Sequence, residues 1–134
     1  MATHADADLI LRLYDLRREA EMRRARSFLA QFQPASAAEA QAAHSGIGRQ
    51  DNAWVRQATS YWEMAFSIAN TGAIDETLFA KNCGEGILFA VKCQILKAKF
   101  PEAWNRTMPE AEAFIARNAT AQQKAEQMRK RLGG

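Results

Sequence analysis

Apolar residues recur along this chain at three- and four-residue spacing, which places them on one side of successive helices. The pattern from about Asp6 to Gln31 predicts a first long helix, with Thr3 or Asp6 as its cap and Pro34 closing the segment. Its apolar positions change sides part-way along. Leu9, Leu13, Leu16 and Ala20 share one face, whereas Tyr14, Ala25, Phe28, Leu29 and Phe32 lie near the opposite one. A helix of that kind is buried on different sides along its length, or it meets a partner chain.

Beyond Pro34, Ser36-Ala37-Ala38-Glu39 has the spacing of a capping box and opens a short alanine-rich helix to about His44. The loop Ser45-Gly46-Ile47-Gly48 separates it from the strongest pattern in the chain, Asn52 to Thr71, which Asp51 or Asn52 can cap. There Trp54, Val55, Ala58, Tyr61, Trp62, Ala65, Phe66, Ile68 and Ala69 cover more than half the circumference and predict the central core helix. Arg56, Glu63 and Asn70 hold the remaining polar strip, and Gly72 stands where a helix terminates in a left-handed residue. Asp75 caps a short helix to about Asn82, and Cys83-Gly84-Glu85-Gly86 turns the chain into an apolar helix that Pro101 ends. Thr107-Met108-Pro109-Glu110 repeats the capping-box spacing with an early proline, and a polar helix from Thr120 to Leu132 finishes the chain.

Composition supports an all-helical reading. Of 134 residues, 27 are alanine and only Val55 and Val91 are valine, a balance that favours helix over the β-branched surfaces of sheets. The expectation is an all-α single-domain bundle of about five to seven helices over residues 1–134, with a long N-terminal helix and frayed ends at 1–5 and 133–134. Hydrophobic residues at 48% are enough for a packed core. The most apolar stretch, Gly86 to Phe100, contains Lys92, Lys97 and Lys99 and is shorter than the roughly 20 residues of a membrane span. With two cysteines that share no close spacing and no secretory apolar segment, the expected setting is cytoplasmic, without a membrane.

Charge narrows function less than it narrows fold. The net charge of +3 permits an acidic partner without requiring one. Arg17, Arg18 and Arg24 near one end and Lys124, Arg129, Lys130 and Arg131 near the other are candidate contacts for nucleic acid or another polyanion, provided the fold brings the two ends together. Acidic neighbours compete for the first set, with Arg17 expected to pair with Glu21, Glu19 with Arg23 and Asp15 with Arg18. No aromatics interleave with either set for base stacking. His4, His44, Cys83 and Cys93 lack metal-ligand spacing, so neither metal nor cofactor is assigned. No catalytic residue is assigned either, since Glu63 occupies a polar helix strip, Asp75 a cap and Glu85 a turn. Trp54, Tyr61, Trp62, Glu63 and Glu85 remain candidates for an aromatic-lined ligand pocket.

The run Tyr61-Trp62-Glu63-Met64, followed by Thr71-Gly72-Ala73-Ile74-Asp75-Glu76 and Leu78-Phe79, resembles small bacterial helical proteins of the domain of unknown function 4760 type. An arginine-containing first helix, here Leu13 to Arg26, precedes these motifs, and the similarity spans about Leu9 to Phe114. The resemblance implies a helical fold and supplies no activity; an N-terminal membrane segment that it implies for many relatives has no counterpart in this sequence. Three readings of function stay open. The leading one is a non-catalytic helical interaction or self-association module, expected as a homodimer or with a protein partner, because Ile87, Val91, Ile95 and Ala98 on one side and Phe89, Cys93, Leu96 and Phe100 on the other leave apolar surface to cover. The others are a polyanion binder and a small-ligand domain or enzyme.

Overall fold

The computed structural model describes residues 1–133, and those residues form eight α-helices with no strand among them. In chain order they are α1 (His4–Leu16), α2 (Ala20–Gln31), α3 (Ala37–Ser45), α4 (Gln50–Asn70), α5 (Glu76–Asn82), α6 (Gly84–Lys99), α7 (Pro109–Arg117) and α8 (Ala119–Arg131). Gly134 of the expected frayed end lies outside the described residues. At the other end helix starts at His4, where Thr3 accepts the Asp6 N–H and the Asp6 carboxylate accepts the Thr3 N–H, a complete capping box.

The single long N-terminal helix is replaced by two. The chain leaves α1 at Arg17, and Glu19 caps α2 by accepting the Met22 N–H at 2.8 Å. The reason lies in the change of apolar side noted above. A straight helix would leave one of its two apolar stripes in water, whereas the break lets Ile10 and Leu13 of α1, and Met22, Ala25 and Leu29 of α2, all become buried.

The long helix α4 is the axis of the bundle and packs against α2, α3, α6 and α7, while α6 is covered in turn by α2, α4, α7 and α8. Where α4 and α6 meet, a Cβ on Gly86 would lie 2.6 Å from ring carbons of both Trp62 and Phe66, so only glycine permits this approach. Phe66, Phe79 and Phe114 continue the core as edge-on or tilted pairs with centroids 5.3–5.7 Å apart. Much of the two apolar sides of α6 is covered within one chain: Ile87 and Val91 on one, and Phe89, Cys93 and Leu96 on the other, are buried, whereas Ile95 and Phe100 are half-buried and Ala98 is exposed.

Helix ends follow the expected signals in part. Ser36 accepts the Glu39 N–H, Asp75 accepts the Leu78 N–H, and Gly72, at φ +81°, ends α4 with Ala73 N–H donating to Ile68 C=O. At α4 the cap position is Arg49, without a side-chain cap, while Asp51 sits inside the first turn and pairs with Arg49. At α7 the expected capping box does not form, and the first free amides go instead to Glu63 of α4.

Candidate functional site

A cluster of charged and aromatic side chains lies where the α1–α2 break meets α4 and α6. Glu85, in the first turn of α6, accepts two hydrogen bonds from Arg26, Nε to Oε1 at 2.7 Å and Nη2 to Oε2 at 2.9 Å. The Trp62 indole N–H donates to the same carboxylate at 3.0 Å, and an Arg17 nitrogen lies 3.5 Å away. The Arg17 guanidinium stands 4.7 Å from the Tyr14 ring centroid and 5.3 Å from that of Trp62, in cation–π range. The Tyr61 hydroxyl donates to the Leu13 carbonyl, and Arg26 also donates to the Arg17 carbonyl at 3.2 Å. The break between α1 and α2 is therefore tied to the two central helices by side chains rather than by backbone pairing.

Electrostatics in this cluster keep its charges in place. Burial by itself would raise the Glu85 carboxyl pKa, but hydrogen bonds from Arg26 and Trp62, with the nearby guanidinium charges, hold it below the usual carboxylate value. The Arg26 pKa is raised by its bonds to Glu85, and burial pushes the Tyr61 phenol up to about 12. A general acid near neutral pH needs the opposite shift, upward. The arrangement at Glu85 anchors an ion pair.

The five residues proposed for one pocket occupy three environments. Tyr61, Trp62 and Glu85 share the cluster just described. Trp54 faces α2, donating its indole N–H to Glu21 at 3.1 Å and packing its ring 5.5 Å from that of Phe28. Glu63 points to α7, where its two oxygens accept the N–H groups of Glu110 at 3.0 Å and Ala111 at 2.9 Å. The sequence places all of these on or beside one helix wheel, yet a helix packed on four neighbours sends each side chain into a different contact.

The basic residues separate in the same way. Arg17 turns inward to Glu85 rather than to Glu21, Arg24 pairs with Glu21 at 2.7 Å, and Arg18 lies 4.0 Å from Asp15 as expected. Glu19 caps α2 instead of pairing with Arg23. Lys124 donates to the Ala80 carbonyl at 2.8 Å and Arg129 to Gln94 at 3.1 Å, whereas Lys130 and Arg131 are exposed. Arg17 meets α6 at Glu85 and Arg129 meets it at Gln94, about 14 Å further along its axis at 1.5 Å per residue, while Lys124 lies back beside the start of α6 at Ala80.

Two side chains stand out here that their spacing does not mark. His44 accepts the Asn105 and Arg106 N–H groups at Nε2, at 3.2 and 3.1 Å, and burial draws its pKa down. Lys92 is buried in the middle of α6 and donates to the Leu29 and Ala30 carbonyls, each at 2.8 Å. The one signal for Lys92 is a lysine flanked by Val91 and Cys93 inside an otherwise apolar run. Among the described residues, no group of histidine, cysteine and carboxylate side chains is placed to hold a metal ion, and no helix is long and apolar enough to cross a membrane.

No curated protein and no solved structure matches this chain. A family model does: the one described as Domain of unknown function (DUF4760) matches residues 2–96. The match takes in α1 to α5 and most of α6, including Arg17, Arg26, Tyr61, Trp62 and Glu85, and ends before α7, short of the Phe114 limit expected from the motifs. With most of its length matched and the helices tied together by residues inside that match, the chain belongs to the DUF4760 family.

Proposed function

We propose that this protein is a non-catalytic helical module that self-associates through the outer side of α1. The observation that carries the reading is a pair of exposed large apolar side chains one turn apart on that helix, Leu11 at 67% and Tyr14 at 41% of full exposure. The carboxylates that would serve catalysis are engaged elsewhere, Glu85 with arginines, Glu63 and Asp75 as helix caps.

A second copy of the chain is the partner that the charges favour. The first half of α1 carries Asp6 and Asp8 at its surface, and its second half and exit carry Arg12 and Arg18 against the single acid Asp15. Two such helices running antiparallel across a twofold axis set the acidic half of each against the basic half of the other. One helix face offers less than the roughly 800 Å² per partner of a standard interface, so the dimer is a weak one. Cytoplasmic residence belongs to the same reading, supported by two free, buried thiols.

Size-exclusion chromatography with light scattering, run at rising protein concentration and with absorbance recorded at 260 and 280 nm, tests this proposal. A mass that climbs toward twice 15.0 kDa, and that Leu11→Glu returns to the monomer value, supports it. A monomer up to about millimolar concentration, where even weak dimers populate, refutes it. A raised 260 nm absorbance with excess mass that high salt removes replaces it with the polyanion reading.

A further inference from the structure

A cleft of about 380 Å³ lies between the chain leaving α2, the C-terminal half of α6 and the end of α8. Its walls are largely apolar, formed by Phe32, Ile95, Leu96, Phe100 and Leu132. The charged side chains that line it are both cationic, Lys92 and Lys99, and no carboxylate is among its lining residues. Such a volume lies at the lower end of the roughly 300–1,000 Å³ of small-molecule sites, whose usual make-up is apolar walls with a few placed polar groups.

Lys92 is the unusual member. The residue is 5% exposed, and its ammonium has two protein acceptors, the Leu29 and Ala30 carbonyls at the C-terminal end of α2. An ammonium has three N–H donors, so one is left over. No carboxylate lies within ion-pair distance of it among the described residues. A buried cation without a counter-ion is costly, and burial draws this amine down to about 8. An anion in the cleft would supply the missing charge and the third acceptor together.

We propose that this cleft binds a small amphipathic carboxylate, its head group on Lys92 with Lys99 at the rim and its hydrocarbon body against Phe32, Ile95, Phe100 and Leu132. Charge selects the head, because both lining charges are positive. Wall chemistry selects the body, since a purely polar anion would gain nothing from four large apolar side chains.

Isothermal titration calorimetry of the full chain with octanoate and with octan-1-ol separates the two contributions. Octanoate should bind saturably and at least about tenfold more tightly than the alcohol, the factor expected for a hydrogen bond to a buried charge. Lys92→Met should abolish that preference, and Lys99→Glu, an exposed change that leaves the core untouched, should weaken octanoate several-fold while leaving octan-1-ol unchanged. Equal affinity for the two compounds, octanoate binding indifferent to both substitutions, or no saturable binding at about 10 mM, beyond the weakest useful ligand range, overturns the proposal.

Discussion

Arg26 and Glu85 lie 59 residues apart in sequence and meet through two parallel N–H to carboxylate hydrogen bonds at 2.7 and 2.9 Å. The pair joins α2 to α6, and the same carboxylate receives Trp62 from α4, so three helices converge on one acid. Breaking one partner of such a partly buried pair strands the other. Glu85→Gln is expected to destabilise the fold by about 2–4 kcal/mol, seen in urea unfolding as a lower midpoint at unchanged slope. A double-mutant cycle with Arg26→Met should return a coupling of about 1–3 kcal/mol. A coupling near zero would mean that the pair contributes no specific energy.

Acid sensitivity should trace to the same residue. A carboxylate with a folded pKa below its unfolded value, here 4.5, contributes stability that is present above that value and lost as pH falls through the folded one. Unfolding free energy should therefore decline as pH drops below about 4.5, and the decline should be shallower in Glu85→Gln. Parallel acid limbs for the two proteins would exclude Glu85 as a source.

Glu63 should matter to α7 and Thr107 should not. Glu63→Ala removes both acceptors from the Glu110 and Ala111 amides, and about 1–2 kcal/mol of stability with them, together with faster hydrogen exchange at those two positions. Thr107→Ala should stay within about 0.5 kcal/mol, because no side chain at the start of α7 itself caps that helix. The reverse order of effects would restore the local capping box that the spacing suggests.

Two glycines in the first turn of α6 should respond oppositely to alanine. At Gly86 the new methyl meets Trp62 and Phe66 at 2.6 Å, and forcing those buried rings apart should cost about 1–3 kcal/mol or more. At Gly84 nothing lies within 4 Å, and helix propensity makes Gly84→Ala neutral or stabilising by up to about 1 kcal/mol. Thermal denaturation of the two variants, with midpoints moving apart, checks this contrast.

Both thiols should be silent in the folded protein. Cys83 and Cys93 are buried, and burial pushes each thiol up to about 12, so almost no thiolate exists at neutral pH. Reaction with a disulfide reagent should track global unfolding, with no fast phase in native buffer. Rapid labelling of either cysteine would contradict this burial.

Much of the fold could be read from local signals because those signals act within a few residues. The helical class follows from alanine content and three- to four-residue periodicity, and the caps at Ser36, Asp75 and the Gly72 terminus each involve partners no more than five residues away. The change of apolar side near Leu16 is visible in the sequence but predicts one long helix. The break at Arg17 belongs to the tertiary structure, where Arg17 and Arg26 both turn to Glu85.

What the sequence determined by itself, then, is the all-helical architecture, the central place of the Asn52–Thr71 segment and membership of a family with a helical signature, since short-range hydrogen bonding and side-chain periodicity encode all three. Only the tertiary structure decided which charges meet. Arg17 has Glu21 at helical pairing distance and goes instead to Glu85, and Glu63 looks free on its helix yet caps a helix 47 residues further on. Most of the two-sided apolarity of α6, from Ile87 to Leu96, is covered by four neighbouring helices of the same chain, which its periodicity does not show. The physical reason is common to these cases: an ion pair or a buried face depends on distances through space, which the chain sets only after every helix has packed.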